Sequence, residues 1–593
     1  MYFNKIHKDN PRYINNMSQF MDTKTNFQIG ENGHVENKWS NDYRDQIVQF
    51  SFQLTRTEKQ QITVLETTFR ELLSQIQTIY QSHLIAAPIY EELIITLYKL
   101  IAQTRDIIDG KGEYELSYML LLVWYDFFPD SAKFMLSRFT TFSDEETQTE
   151  HPFGSWKDLK YFANKCRDRY ENHKLIDHCV YLLNTQLRDD EEKHKYGCNE
   201  LSLVAKWIPR EKSQFSWLFE KLATDYYQEY LPFDNPSKES AVLKCKTHYR
   251  KLVSCLNNVI DTVQIKQCKN NWKDIHPAKQ TAITIKRQNR AFFNIDKTGK
   301  QRSTREDRVK CANNFKSFVE QAVKGDVVIK GKRLGIEEFV REAFQLINSH
   351  ERPDELINML NSQWINNSTS TRQLRKMIPM VDVSGSMDGN PMFAAIGLGI
   401  RIAEKSIIGR RVMTFSEKPS WVNLDGIDKF VDMVACVKKA DWGMNTNFYA
   451  AMDLILSVIV DMQLPAEEVA DMTLAIFSDM QIDHADKGFL SNRDMFSNIE
   501  SKYADAGIKI CGTPYKPPHI LFWNLRSTSG FPSLANNTNT SMISGFSPSL
   551  LNLFCEEEDF KTFMNQNPWN VFMQSLTNKR YDMVEEYMKT QIE

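Results

Sequence analysis

The sequence predicts a multidomain protein in which an all-α helical-repeat domain is followed by an α/β domain with a doubly wound sheet. The chain has 593 residues, 42% of them hydrophobic, which is enough for two large cores. From about residue 41 to residue 372, apolar residues recur at the three-to-four spacing of amphipathic helices. After residue 372, short apolar strands alternate with helical segments, which is typical of a parallel sheet.

Residues 1–40 are predicted to be a polar, poorly ordered N-terminal arm. They are rich in Asn, Lys and Asp and show no sustained periodicity. The pair of glycines Gly30 and Gly33 indicates a hairpin turn near the end of this arm.

Residues 41–372 are predicted to form helices that stack in pairs, as in HEAT-like α-solenoids or a closed ring. No repeat of fixed length is found, so a regular consensus solenoid is not expected. The helical segments are expected at 62–82, 86–102, 115–128, 130–139, 156–187, 215–230, 240–264 and 335–362.

Residues 373–593 are predicted to form the α/β domain and a C-terminal helix. Strands are expected at 377–383, 411–415, 472–477, 519–525 and 541–543. Helices are expected at 393–407, 428–439, 447–463, 493–506, 548–556 and 569–590.

Composition excludes several classes of protein. The formal net charge of −3 excludes a uniformly basic nucleic-acid coat. The ten cysteines form no CxxC pair and favour reduced thiols in an intracellular, cytoplasmic protein. The N-terminus lacks the apolar core of a signal peptide, and the most apolar run, 116–128, is too short for a membrane span of about 20 residues. We therefore expect no membrane partner.

Two strand ends carry oxygen-bearing side chains that suit a metal ion. Asp382, Ser384 and Ser386 follow the strand at 377–383, and Asp479 follows the strand at 472–477. Thr446 lies at the start of the helix at 447–463, and the carboxyl ends of parallel strands share one edge of a sheet. Hydroxyl and carboxylate oxygens suit one Mg²⁺ ion, or Mn²⁺ or Ca²⁺ in its place. The alternative is a polar turn in which Ser384 and Ser386 cap the next helix and Asp382 accepts backbone N–H hydrogen bonds.

These five residues resemble the metal-ion-dependent adhesion site of von Willebrand factor A domains. In such a site Ser384 and Ser386 would be direct neutral ligands, and Thr446 would bind the ion directly or through water. Asp382 and Asp479 would hold metal-bound waters and orient the serines. The resemblance also implies that a protein partner supplies a carboxylate to the ion.

A strongly basic stretch lies within the helical part. Residues 244–333 contain 22 Lys and Arg against 7 Asp and Glu, which leaves a net charge of −18 on the rest of the chain. Such a stretch can bind RNA phosphates, and neighbouring aromatic residues can stack on unpaired bases. The alternative is a solvated face that pairs with acidic residues, with Phe292 and Phe293 in the core. The candidate RNA-binding residues are Lys286, Arg287, Arg290, Lys300, Arg302, Arg305, Arg308 and Lys310.

Several blocks resemble the Ro/telomerase-associated (TROVE) helical-ring proteins, and more closely the domain-of-unknown-function family 2828 of plants and giant DNA viruses. They lie at 104–116, 154–159, 205–211, 249–252, 522–526 and 544–547. The resemblance implies a helical ring that binds single-stranded or structured RNA and is closed by a von Willebrand A-like domain. It also implies a location in the host cytoplasm or the virion if the protein is viral. The block at 104–116 has a plainer interpretation, in which Arg105, Asp106 and Glu113 form structural ion pairs. Trp156 and Trp207 are interpreted as core anchors.

The expected function is a non-enzymatic RNA-binding or ribonucleoprotein scaffold. The sequence contains no HExxH, GxSxG or P-loop motif, and the serine-rich site suits ligand capture better than hydrolysis. The alternatives are a protein-interaction or assembly factor without a nucleic-acid role, and a hydrolase that uses Asp382 and Asp479.

Overall fold

The computed structural model describes residues 27–29, 35–141, 151–231, 238–349, 353–415, 418–440, 447–480, 492–555 and 566–592. A largely helical N-terminal part is followed by a six-stranded sheet that carries helices. This arrangement confirms the prediction of a helical domain followed by an α/β domain.

The N-terminal part begins with a two-stranded hairpin and continues as helices. Strands β1 (Phe27–Ile29) and β2 (Val35–Asn37) pair in antiparallel register, which agrees with the predicted hairpin. Residues 1–26 of the predicted arm and the turn at 30–34 lie outside the described residues. The helices are α1 (Tyr43–Gln53), α2 (Lys59–Gln81), α3 (Ala87–Arg105), α4 (Tyr114–Phe127), α5 (Pro129–Arg138), α6 (Trp156–Arg169), α7 (Lys174–Lys195), α8 (Val204–Trp207), α9 (Ser216–Tyr226), α10 (Lys238–Ile260), α11 (Val263–Cys268), α12 (Ala282–Phe292), α13 (Glu306–Lys324), α14 (Ile336–Ile347) and α15 (Asp354–Ser368).

The apolar spacing in the sequence predicts the positions of most of these helices. Two long predicted segments, however, are each divided into two helices in the structure. The segment 156–187 is interrupted between α6 and α7, where the His173 side chain caps α7 by accepting from the Leu175 amide. The segment 335–362 is divided before Pro353, which precedes α15. Helices α1, α8, α11, α12 and α13 were not expected from the sequence.

The sheet has the strand order β5-β4-β3-β6-β7-β8. Strand β5 is antiparallel to β4, and the other neighbours are parallel. Strands β4 and β5 lie on one side of β3, and the later strands β6, β7 and β8 lie on the other. The pair β3–β6 is therefore the topological switch point, where α/β sheets usually bind ligands. The strands are β3 (Met377–Asp382), β4 (Arg411–Phe415), β5 (Ser420–Asn423), β6 (Thr473–Ser478), β7 (His519–Asn524) and β8 (Thr540–Ser544), of which only β5 was not expected.

Both faces of the sheet are buried, which explains why its strands are continuously apolar. Val381 and Phe477 point to a core shared with α14, α15, α16 (Asn390–Lys405) and α17 (Phe430–Lys438). Met380 and Ile476 point to the opposite core, shared with α18 (Phe448–Asp461), α20 (Asn492–Cys511) and many N-terminal helices. The short helix α19 (Ala466–Ala470) leads into β6.

The C-terminal segment returns to the N-terminal helices. The predicted helix 569–590 is divided into α21 (Pro568–Ser575) and α22 (Asp582–Ile592). Lys99 of α3 pairs with Glu585 of α22 at 2.8 Å, and the rings of Phe134 and Tyr587 stack with centroids 3.9 Å apart. Because α14 packs on α16 while α22 packs on α3, contacts cross the predicted boundary at residue 372 from both sides.

The block at 104–116 is held by buried ion pairs, as its plainer interpretation predicts. Arg105 makes two 2.8 Å hydrogen bonds to Asp158. Asp106 receives two 2.8 Å hydrogen bonds from Arg580. Glu113 receives hydrogen bonds of 2.9 and 3.1 Å from Arg56.

No helix in the described part of the chain is long and apolar enough to cross a membrane.

Candidate metal centre and basic surface

Asp382 is the centre of a buried polar cluster at the switch point. It is the last residue of β3, and its side chain is fully buried. Its Oδ1 accepts a 2.9 Å hydrogen bond from the Ser384 amide, and its Oδ2 accepts a 2.6 Å hydrogen bond from the Ser478 hydroxyl. Burial raises the pKa of Asp382 to about 6, and the nearby charge of Asp479 acts in the same direction, although the serine hydrogen bonds oppose it.

The two serines of the motif lie side by side above this carboxylate. Ser384 precedes a single 3₁₀ turn at 385–387, which lets the Ser384 and Ser386 hydroxyls hydrogen-bond to each other at 3.0 Å. Ser384 is buried and Ser386 is exposed. The two serine hydroxyls therefore extend from the buried Asp382 carboxylate to the protein surface.

Of the two remaining motif residues, the structure describes Asp479 but not Thr446. Asp479 directly follows β6 and is buried at the same edge of the sheet. Thr446 lies outside the described residues. Four of the five predicted ligands can therefore be placed, all at the carboxyl ends of the adjacent strands β3 and β6.

Arg526 is a neighbour of the site that the motif did not include. Its guanidinium donates a hydrogen bond to the Ser386 carbonyl and lies 3.8 Å from Asp479 Oδ2. Arg526 follows β7, the next parallel strand, so the same strand-end reasoning could have found it. Ser478 was visible beside Asp479, but its hydrogen bond to Asp382 depends on the pairing of β3 with β6.

The donor set fits a hard divalent cation. Two neighbouring ligands of an octahedral Mg²⁺ ion, each at about 2.1 Å, are about 3.0 Å apart, which is the separation of the two serine hydroxyls. Among the described residues, no group of three or more His, Cys, Asp or Glu side chains could hold a metal ion.

Five of the eight predicted RNA-binding residues are engaged in local contacts. Lys286 pairs with Glu338, Arg305 with Asp307 and Lys310 with Glu306. Arg308 lies 3.7 Å from the centroid of the Trp272 ring and donates to the Ala291 carbonyl, and Arg290 donates a 3.2 Å hydrogen bond to the Asp296 carbonyl. The other three are exposed and make no ion pair within the described ranges: Arg287, Lys300 and Arg302.

The phenylalanines beside this stretch are core residues. Phe292 is fully buried and its ring stacks on Phe315 with centroids 4.4 Å apart, while Phe293 is 3% exposed. Neither ring can stack on a base, so the alternative in which both are core anchors is confirmed.

Comparison with known proteins places the chain near sequences of unknown function. Residues 376–591 match the family described as a domain of unknown function (DUF7788). An uncharacterized protein of Acanthamoeba polyphaga mimivirus is 26% identical over 479 residues, which covers 78% of this chain and 77% of that protein. These matches support the predicted likeness to an uncharacterised family with viral relatives. The family number 2828, the plant relatives and the TROVE and von Willebrand likenesses stay predictions.

Proposed function

We propose that this protein is a non-enzymatic binding scaffold in which the α/β part docks a protein partner through a divalent cation and the helical part holds RNA. The observation that carries the proposal is the 3.0 Å pair of serine hydroxyls above the buried Asp382 at the switch point. That pair combines the motif of a von Willebrand A-like adhesion site with the spacing of neighbouring Mg²⁺ ligands.

The residues of the site have separate roles in this proposal. Ser384 and Ser386 would hold the ion, and Asp382 and Asp479 would orient its waters. A bound Mg²⁺ ion would supply a coordination position for a partner's carboxylate. The exposed guanidinium of Arg526 adds positive charge beside Ser386, which favours an anionic group on the partner.

Magnesium binding is tested by thermal melting with increasing Mg²⁺. We expect Mg²⁺ to raise the melting temperature of the wild type, because a ligand at 100 times its Kd stabilises a folded protein by about 2.7 kcal/mol. Ser384→Ala should remove most of this shift. Ser457→Ala, an exposed serine of α18, is the matched control and should keep it. An equal Mg²⁺ shift in all three proteins would contradict the proposed site.

The RNA part of the proposal is tested by the salt dependence of binding. We expect wild-type protein to bind single-stranded RNA more weakly as salt increases, because phosphate contacts release counterions. Replacing Arg290, Lys300 and Arg302 by Gln should lower the slope of log affinity against log salt by about 2, since each contact to a single strand contributes about 0.7. The control replaces Lys193, Lys195 and Lys221, which are paired with Asp189, Glu191 and Asp177. If the wild type does not bind RNA at low salt, the assembly factor without a nucleic-acid role is the better proposal.

A further inference from the structure

Three half-buried lysines on the helical part make no ion pair with any described carboxylate. Lys157 and Lys160 lie on α6, and Lys206 lies on the short helix α8. Burial lowers the pKa of all three ammonium groups, and the charge of Arg210 lowers that of Lys160 further. The charge of Asp158 acts to raise the pKa of Lys157, but this carboxylate is hydrogen-bonded to Arg105.

These ammonium groups lie beside aromatic rings, and neighbouring rings share a lysine. The Nζ atom of Lys157 is 5.6 Å from the ring centroid of Tyr114 and 5.0 Å from that of Tyr161. The Nζ atom of Lys160 is 5.2 Å from the centroid of Tyr161 and 5.4 Å from that of Trp207. Lys206 Nζ lies 5.8 Å from the same tryptophan ring, so Trp207 links the two helices. We call Lys157, Lys160, Lys206, Tyr114, Tyr161 and Trp207 the lysine–aromatic surface.

This arrangement is costly for folding alone. A desolvated cation without a carboxylate partner loses hydration that an aromatic ring replaces only in part, since a cation–π contact contributes about 0.5–2 kcal/mol. Other lysines of the same helical part are more exposed and ion-paired, such as Lys193 with Asp189 and Lys221 with Asp177. No carboxylate within the described ranges pairs with these lysines, so an anion from outside the chain would complete the set.

The aromatic rings distinguish a polynucleotide from a simple anion. Tyr114 and Tyr161 are 45% and 36% exposed, so their rings are accessible to planar groups from solvent. Ring faces bind unpaired bases of any sequence, whereas bases inside a duplex are already stacked. An acidic peptide would satisfy the lysines but would leave the exposed rings without a partner.

One exposed cation of the basic stretch lies near this surface. The charge of Arg287 lowers the pKa of Lys157. Arg287 is exposed and makes no ion pair among the described residues.

We propose that the lysine–aromatic surface binds a single-stranded RNA segment, with phosphates at Lys157, Lys160 and Lys206 and bases stacked on the exposed rings. This inference rests on the proposed RNA-binding function and assigns it to residues outside 244–333.

The test measures binding of a labelled oligouridylate of about 16 nucleotides to the full chain at several salt concentrations. The first variant replaces Lys157, Lys160 and Lys206 by Gln, and we expect a salt slope lower by about 2 and at least tenfold weaker binding at low salt. The matched control replaces Lys193, Lys195 and Lys221 by Gln, which removes the same charge from ion-paired positions, and should bind like wild type. A second variant, Tyr161→Leu, keeps every charge and should bind about tenfold more weakly with an unchanged salt slope.

Folding is monitored by thermal melting of each variant. The lysine variant should melt at or above the wild-type temperature, because it removes half-buried charges that pair with no carboxylate in the described part of the chain. If the wild type binds the oligonucleotide and the lysine variant binds like the control, the surface is wrong and the proposed function stands. If the wild type does not bind, both are wrong. If duplex RNA or polyglutamate competes as well as the single strand, recognition is only electrostatic and the inference is overturned.

Discussion

Lys111 lies fully buried between the N-terminal helices and the end of β8. Its ammonium donates 2.7 Å hydrogen bonds to the Ser51 carbonyl and the Ser544 hydroxyl, and a 3.1 Å hydrogen bond to the Leu54 carbonyl. Burial lowers the pKa of Lys111 to about 7. The Lys111 side chain thus links the N-terminal helices to β8 and makes their contact sensitive to pH.

We expect the stability of Lys111→Met relative to wild type to be most favourable at pH 7 and below. The folded-state pKa lies below the ordinary value of 10.5, so between these values the unfolded chain binds more protons and wild-type stability rises with pH. From pH 7 to pH 10 the difference in the free energy of unfolding should therefore shift in favour of the wild type, by at most about 4 kcal/mol. Urea denaturation at several pH values measures this difference, with the exposed Lys59→Met as control. A difference that does not change with pH would contradict the buried charge.

Helix α16 contains two glycines that allow close packing against β3 and α14. A Cβ atom on Gly399 would lie 2.5 Å from Val381 Cγ2 of β3, and one on Gly397 would lie 2.7 Å from Ile336 Cγ1 of α14. The two glycines therefore let α16 approach the sheet on one side and α14 on the other. Glycine is otherwise unfavourable within a helix, so packing is the physical reason for its presence here.

We expect Gly399→Ala to lower the free energy of unfolding. Alanine improves helix propensity by about 1 kcal/mol, but overpacking a buried contact costs about 1–3 kcal/mol, so the clash with Val381 should prevail. Thermal melting measures the result. Gly385→Ala is the control, because a Cβ atom there would meet no atom within 4 Å. A variant of Gly399 that melts above wild type would show that α16 does not pack this closely.

At the scale of the whole molecule, the C-terminal segment joins the two parts of the chain. The Arg580–Asp106 pair connects residues 474 positions apart, and the Tyr581 hydroxyl adds a 3.2 Å hydrogen bond to the same carboxylate. Val584 and Met588 of α22 are fully buried in the core that contains the N-terminal helices. The matched family region at 376–591 therefore includes a helix whose apolar face is covered by residues outside that region.

We expect Arg580→Met to destabilise α3 although the substitution lies near the C-terminus. It leaves the Asp106 carboxylate buried without its guanidinium, which typically costs about 3–5 kcal/mol. Hydrogen exchange of the α3 amides measures the local effect. Lys579→Met removes the same charge from an exposed neighbouring position and should leave exchange unchanged. Equal protection of α3 in both variants would contradict the coupling of the two ends.

The order and type of most helices and strands could be predicted from the sequence, because apolar spacing indicates which face of a helix or strand is buried. It also placed Asp382, Ser384, Ser386 and Asp479 at one edge, since the carboxyl ends of parallel strands coincide. It could not show that β5 pairs with β4, because a four-residue edge strand carries almost no periodic signal.

The ion-pair partners of the charged residues are known only from the tertiary structure. The sequence does not show that Asp106 meets Arg580, that Arg526 reaches Ser386, or that Lys286 is neutralised by Glu338. Nor does it show that the three half-buried lysines at 157, 160 and 206 meet beside shared aromatic rings. The physical reason is that spacing along a chain reports burial, whereas the neutralisation of a charge depends on side chains that folding brings together from distant positions.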